Sequence, residues 1–500
     1  MKKYIKYVQV SLLALAISSC DNDNYLDVNV DPNNPTEVSP DLILPTAQNY
    51  TVRNMYLGVG GRYTNTFGNI MMANWSETDG YSWYDDEFGY IMGSNFYDRI
   101  FDYSYINTLK TYQEVINAGD ETTDNFTAIA EIMKAYHFQM LVDGYGDIPY
   151  FEALQRENAA TPAYDSAEAI YDDLIIKLDE AITTIKEADS DDQVPGSGDI
   201  VFNGNMTSWI QFANTLKLRI LVRQSGMSSK QAYIQENMNN IVAEGSGFLL
   251  EDALVNPGYS NDDGKQNPFF QDFGENIAGE AVNNNLATCA SEFVIDFLQN
   301  ASDPRIDRLY EEPAGGHKGT PQGLTNYPDG FEAADVSNIG PGLLKGSTQS
   351  SPIMLAAESL FLQAEAAQRG YLSGNAQALY EQAITASFNF LGADANEDGS
   401  TDDDAATYFG QSKTNVGWSS SDPIEAIITQ KWIALNGTNG WESWVEYNRT
   451  GYPANVPVAL NQTNADRPVR LSYPASERVG NAANVPNQPN EFSDKIFWAN

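Results

Sequence analysis

Cysteine is almost absent. Only Cys20 and Cys289 occur in 500 residues, so no disulfide framework can hold this fold, and a chain of this length must rely on a buried core. Histidine is equally scarce, with only His137 and His317, and neither HExxH nor CxxC spacing occurs, which removes the common zinc sets. There is no GxSxG nucleophile elbow. The glycine runs GVGG at 58–61 and GGHKG at 315–319 lack the strand–turn–helix setting of a phosphate loop. Basic residues are few: 28 Lys and Arg face 68 Asp and Glu, a formal charge of -40. That balance argues against nucleic acid and against side-chain binding to anionic lipid headgroups. Among so many carboxylates, acid pairs of glycosidase type could be drawn anywhere and carry no information. Beyond residue 20 no apolar run is long enough for a transmembrane helix.

What is present begins at the N-terminus. Lys2, Lys3 and Lys6 precede the short apolar stretch Val8 to Ile17, and Ser18 and Ser19 lead into Cys20. This is the layout of a secretory signal, and Ile17-Ser18-Ser19-Cys20 fits a lipobox, in which the Cys is acylated and becomes the first mature residue. The expected organisation is a signal peptide over 1–19, an acylated tether over 20–43 rich in Asp, Asn and Pro, and one folded domain over 44–500. Loss of the three leader lysines takes the formal charge to about -43. With Cys20 acylated no disulfide remains, and Cys289 is expected to be an inert buried thiol.

Apolar residues at three- and four-residue spacing predict helices over Asn125 to Leu141, Ser166 to Ile185 with Ser166 as N-cap, Trp209 to Arg223, Met354 to Arg369 and Asn375 to Leu391. The first should stop at the turn Asp143-Gly144-Tyr145-Gly146-Asp147. The last two, Ala-rich and carrying Tyr380 to Ile384, are spaced like a tetratricopeptide pair. A helical scaffold over about 44–240 and 353–450 is therefore expected, interrupted over about 245–350 by loops with scattered aromatics such as Phe269, Phe270, Tyr310 and Tyr327.

Short stretches recur in a telling order. They are Asn29-Val30-Asp31-Pro32-Asn33-Asn34-Pro35, Leu44-Pro45-Thr46-Ala47, Asp143-Gly144-Tyr145-Gly146-Asp147-Ile148-Pro149-Tyr150, and Trp209 with Phe212 to Arg219. Near the C-terminus come Gln430-Lys431-Trp432-Ile433-Ala434-Leu435, Trp441 to Pro453, and Arg470-Leu471-Ser472-Tyr473-Pro474. Together, behind the lipobox, they resemble the SusD/RagB family of nutrient-binding outer-membrane lipoproteins, in particular its second branch. The resemblance spans about residues 20 to 480 and is weakest over 245–350. It implies a mainly α fold, an irregular tetratricopeptide-like scaffold with a loop-rich ligand-binding part. It also implies a cell-surface location on the outer membrane and a partner, a SusC-type TonB-dependent transporter. Members capture oligosaccharides, and some capture peptides.

Three groups of residues are candidate sites. The segment Asn74 to Asp86 holds four large rings among Asp, Ser and Gly without burial periodicity. Trp75, Tyr81, Trp83 and Tyr84 could stack on sugar C–H faces while Asn74 and Asp79 bind hydroxyls; the bland alternative is that the rings fill the core. Arg62 is the only basic residue close to them in sequence. The run from Asp394 to Asp404 matches the first half of a calcium loop, with Asp394, Asn396, Asp398, Ser400 and Asp402 as ligands of a structural Ca2+, although Ala405 stands where a bidentate Glu belongs. Trp209, Trp432, Trp441 and Trp444 are expected in the core. The expected function is non-catalytic capture of oligosaccharides for the transporter. The alternatives are a peptide receptor of the same architecture and a lipid-anchored glycoside hydrolase.

Overall fold

The helical periodicity is realised almost throughout. The computed structural model describes residues 38–56, 62–418 and 422–499. The signal peptide, Cys20, most of the tether and the 58–61 glycine run lie outside the described residues. Residues Pro40–Asn500 form one compact unit. Its helices of eight or more residues are α1 (Pro40–Tyr56), α2 (Thr64–Met71), α3 (Lys110–Asn117), α4 (Asp124–Tyr145), α5 (Ala167–Glu187), α6 (Met206–Arg223), α7 (Gln231–Glu244), α8 (Glu292–Ala301), α9 (Ala356–Gln368), α10 (Ala376–Leu391), α11 (Thr401–Phe409), α12 (Pro423–Ala434) and α13 (Gly440–Thr450). Among the described residues six short strands, β1 (Trp75–Glu77), β2 (Ile148–Pro149), β3 (Tyr164–Asp165), β4 (Ala253–Val255), β5 (Thr288–Ala290) and β6 (Ser351–Met354), pair antiparallel as β1–β5, β2–β3 and β4–β6.

Capping fixes where several helices start. Ser166 accepts from Ala169 N at the start of α5, as its sequence position predicts, and Asn205, Asn375 and Asp422 cap α6, α10 and α12 in the same way. Two boundaries differ from expectation. α1 begins at Pro40, inside the stretch expected as tether, because Pro suits a first helical turn and Leu44 and Ala47 are fully buried. α4 runs on to Tyr145 through Gly144 rather than stopping before Asp143. Trp441 explains this: a Cβ on Gly144 would stand 2.6 Å from its indole, so close helix packing outweighs the weak helix preference of glycine. α2 and α13 meet more closely still, since a Cβ on Gly68 would stand 1.9 Å from the Gly440 backbone.

The tetratricopeptide-like pair α9 and α10 packs as expected. Ala364 and Ala383 are fully buried between the helices, and Tyr380 fills the gap beside Phe361 with its hydroxyl on the Val416 carbonyl at 2.7 Å. Trp209, Trp432, Trp441 and Trp444 are all core residues. The region 245–350 is loop-rich, with α8 its longest helix.

Five helices converge on a buried ionic network. On α6, Arg223 donates to Glu442 at 2.7 Å and to Glu446 at 2.5 Å, both one turn apart on α13. Lys431 of α12 contacts the same two carboxylates at 3.1 and 3.3 Å. Arg449 forks onto Glu365 of α9 at 2.7 Å through both terminal nitrogens and also pairs with Glu446. Arg219 binds Glu358 of α9 and Gln139 of α4, each at 3.0 Å. Asp143 of α4 lies 3.6 Å from Arg223 and is bonded to the Tyr171 hydroxyl. Burial alone would raise the carboxyl of Glu442, but Arg223 and Lys431 outweigh it and hold it at about 2; Glu446 is held low in the same way, chiefly by Arg449 and Lys431.

Removing one member leaves its partners charged and buried. Arg223→Ala is expected to destabilise the protein by about 3–5 kcal/mol, read as a fall in the denaturant midpoint. Because these carboxyls are depressed in the folded state, the stability they contribute is complete above the ordinary value of 4.5 and is lost as the pH falls toward about 2. A thermal melt followed across that interval should show the loss.

Candidate functional site

β1 leaves the core and the chain enters a loop that returns to a short helix, Asp85–Gly89. The strand is anchored by its register with β5, Trp75 opposite Ala290 and Glu77 opposite Thr288. The structure divides the six predicted residues of this segment into two sets. Trp75 is fully buried and stacks on Phe269 at 6.2 Å and against Phe273 at 5.1 Å. Tyr84 is 3 % exposed, with its hydroxyl 2.7 Å from Thr288 Oγ1. Asn74 is fully buried, donating to Asn69 Oδ1 at 3.0 Å and accepting the Tyr310 hydroxyl on its carbonyl at 2.7 Å. These three present no face to a ligand, which corrects the expectation for them: the Trp75 ring packs on Phe269 and Phe273, Tyr84 bonds Thr288, and Asn74 bonds Asn69 and Tyr310, all holding the loop to the body.

Tyr81, Trp83 and Asp79 form the outward set. Trp83 is 38 % exposed, Tyr81 is half-buried, and their rings meet edge to face at 5.9 Å. Of the eight tryptophans, six are buried and Trp418 is intermediate, so Trp83 alone stands exposed. Asp79 is exposed and accepts the Gly80 N–H at 2.8 Å.

A second loop lies beside this one and was missed as part of the site. Asp79 N donates to the Phe331 carbonyl at 2.8 Å, and the Tyr327 hydroxyl donates to the Glu77 carbonyl at 3.0 Å. Tyr327 and Phe331, half-buried rings 6.0 Å apart, flank the turn Pro328-Asp329-Gly330, and Lys318 Nζ sits 3.8 Å over the Phe331 ring. Two aromatics bracketing a Pro-Asp-Gly turn were the available signal; their proximity to residue 79 was not. Arg62 is occupied, paired with Asp86 at 3.1 Å and with Glu87 at 3.4 Å.

Carboxyls at the base of the platform behave unlike those of the ionic network. Burial pushes Glu77 up to about 7 despite N–H bonds from Trp83 and Tyr84, and burial pushes Glu87 up to about 7 against the pull of Arg62. Three further titratable groups, both histidines and Cys289, are enclosed by the fold. Burial takes His137 down to about 3 and pushes the Cys289 thiol up to about 12. His317 lies between Asp307 at 2.7 Å and Ser337 at 3.0 Å, but Ser337 is fully buried and its Oγ already accepts the Lys318 N–H at 3.1 Å, so no substrate can meet it.

The calcium-like loop closes on itself. Asp394 accepts Gly399 N at 2.8 Å, Asn396 accepts Asp398 N at 3.0 Å and Asp398 accepts Ser400 N at 2.9 Å. Asp402 lies in the first turn of α11, and Ala405 is buried where the twelfth ligand would stand. Among the described residues no group of three or more His, Cys, Asp or Glu could hold a metal ion. Asp394, Asn396 and Asp398, three of the five expected ligands, thus each turn one oxygen onto the loop's own backbone.

A SusD-like family model, described as starch-binding and associating with the outer membrane, matches residues 32–474, and the chain belongs to that family. A solved structure of a chitin-binding SusD homolog from Flavobacterium johnsoniae is similar at 25 % identity, with a TM-score of 0.75 over 91 % of this chain and 98 % of that one. A SusD homolog from Bacteroides fragilis is similar at 24 % identity, TM-score 0.71, over 92 % and 99 %. A SusD-like protein from Bacteroides thetaiotaomicron is similar at 23 %, TM-score 0.73, over 92 % and 98 %. No curated protein matches the chain.

The division of the rings can be read by stability alone. Trp75→Ala should cost about 3–5 kcal/mol, as for a core ring, whereas Trp83→Ala should cost about 1 kcal/mol or less. Denaturant unfolding of the two variants checks both; equal losses would place Trp83 in the core.

Proposed function

We propose that the protein binds glycan oligomers on the exposed faces of Trp83 and Tyr81 at the outer surface of the outer membrane and hands them to a SusC-type TonB-dependent barrel. The single observation that carries this reading is the exposed Trp83 indole. Trp83 is the exposed tryptophan, and with Tyr81 beside it at 5.9 Å it offers a flat aromatic surface that a ligand can stack on. A flat ring covers the C–H face of a pyranose, while Asp79 offers carboxylate oxygens to hydroxyls. One such contact is weak. Affinity therefore grows with the number of sugar rings that reach further contacts, such as the neighbouring Tyr327 and Phe331. The family's description and the chitin-binding Flavobacterium relative support a glycan, and make a chitin oligomer the first ligand to try. The acidic surface favours an uncharged glycan over a polyanionic one.

In this reading Cys20 carries the lipid, and the tether keeps the body within reach of the barrel. Catalysis has no part in it. Titration calorimetry with chitohexaose is expected to show binding without cleavage, weakened about tenfold in Trp83→Ala. Unchanged affinity in both Trp83→Ala and Tyr81→Ala would move the site elsewhere, toward 260–330. Turnover of the oligomer, or binding of peptides in place of glycans, would overturn the reading.

A further inference from the structure

We propose that Glu77 is a positioning residue that sets the Trp83 ring for its ligand and makes the grip of the ring platform depend on pH. The inference rests on the reading of Trp83 as a ligand-stacking ring. Glu77 is the last residue of β1, with its backbone fixed opposite Thr288 and its carbonyl bonded by the Tyr327 hydroxyl. Its side chain, 3 % exposed, turns across the loop so that Oε1 accepts Trp83 N at 2.6 Å and Tyr84 N at 3.3 Å. One residue thus ties the Trp83 and Tyr84 backbone, through its carboxylate, and the second aromatic loop, through its backbone carbonyl, to the end of the strand. Asp79 N on Phe331 and Tyr84 on Thr288 hold the loop at its two ends, while Glu77 holds it at the ring that is exposed.

N–H bonds to an ionised carboxylate are roughly twice as strong as bonds to a neutral oxygen, so the state of Glu77 decides how firmly Trp83 is held. The groups facing it are Asp85 and Glu87 on the short helix, the Tyr84 and Tyr327 hydroxyls, and the Cys289 thiol of β5. Burial pushes both phenols up and the thiol to about 12, so none of them carries charge near neutrality. Glu87, also at about 7, is bonded by Tyr97 at 2.9 Å and contacted by Arg62, and it reaches neither Trp83 nor Tyr84 through an N–H bond. A carboxyl raised above its unfolded value stabilises the fold at low pH, and that contribution is lost as the pH rises through about 7. Ionisation of Glu77 therefore strengthens the hold on Trp83 while lowering stability, the pattern of a group kept for function.

Calorimetry of the full-length protein with chitohexaose on either side of pH 7 tests this. Wild-type affinity should be about tenfold weaker below that point than above it. Glu77→Gln should bind as the wild type does at low pH and show no step, whereas Glu87→Gln should keep the step. A wild-type affinity flat across pH 7, a step surviving in Glu77→Gln, or a step lost in Glu87→Gln instead would overturn the inference. A ligand-free readout separates it from the proposed function. The part of the tryptophan emission that Trp83→Phe removes should shift near pH 7 in the wild type and not in Glu77→Gln. If chitohexaose binds at no pH, the glycan reading fails while this emission step still decides the role of Glu77. If Glu77→Gln does not fold, absence of the wild-type emission step overturns the proposal.

Discussion

Four cations buried against carboxylates are the constraint on which the rest of the molecule depends. Arg219, Arg223, Lys431 and Arg449 have side chains at most 5 % exposed, and each reaches a carboxylate on another helix. A buried charge without its partner costs several kcal/mol, so α4, α6, α9, α12 and α13 are held to one relative arrangement. That arrangement brings α13 against α2 at the Gly68–Gly440 crossing, and α2 leads within four residues into β1. The ring platform is thus placed through α2 and β1 by packing deeper in the molecule.

The same residue type is driven in opposite directions in the two regions. Glu442 and Glu446 lie among guanidinium and ammonium groups and are held ionised, while burial raises Glu77, and raises Glu87 against the pull of Arg62, to about 7. The network is therefore built to stay charged and rigid, whereas the base of the platform is built close to neutrality, where a small change in pH alters its charge.

Much of the scaffold was legible before any coordinates. Helical spacing located α5, α6, α9 and α10 to within a few residues, the Ser166 cap was readable, and the paired tryptophans of α13 read as core. The stretches that carry the family resemblance are the ones that build the network: Arg219, Lys431, Glu442, Glu446 and Arg449 all lie within them. Of the six ring-loop residues, Asp79, Tyr81 and Trp83 face outward and Asn74, Trp75 and Tyr84 do not. Nothing local separates Trp83 from Trp75. Their difference arises from pairing with β5, more than two hundred residues away, which draws one ring onto Phe269 and leaves the other outside.

The sequence by itself determined the helical class and the family, because these depend on spacing and order along the chain. The tertiary structure decided which rings remain exposed, that Phe331 and Lys318 join them, and that Glu77 holds the loop. It also decided which oxygens of the acidic loop after α10 bond to the loop's own backbone. These are matters of which surfaces meet across long stretches of chain. Burial, and with it the charge state of a carboxyl, is settled only when they do.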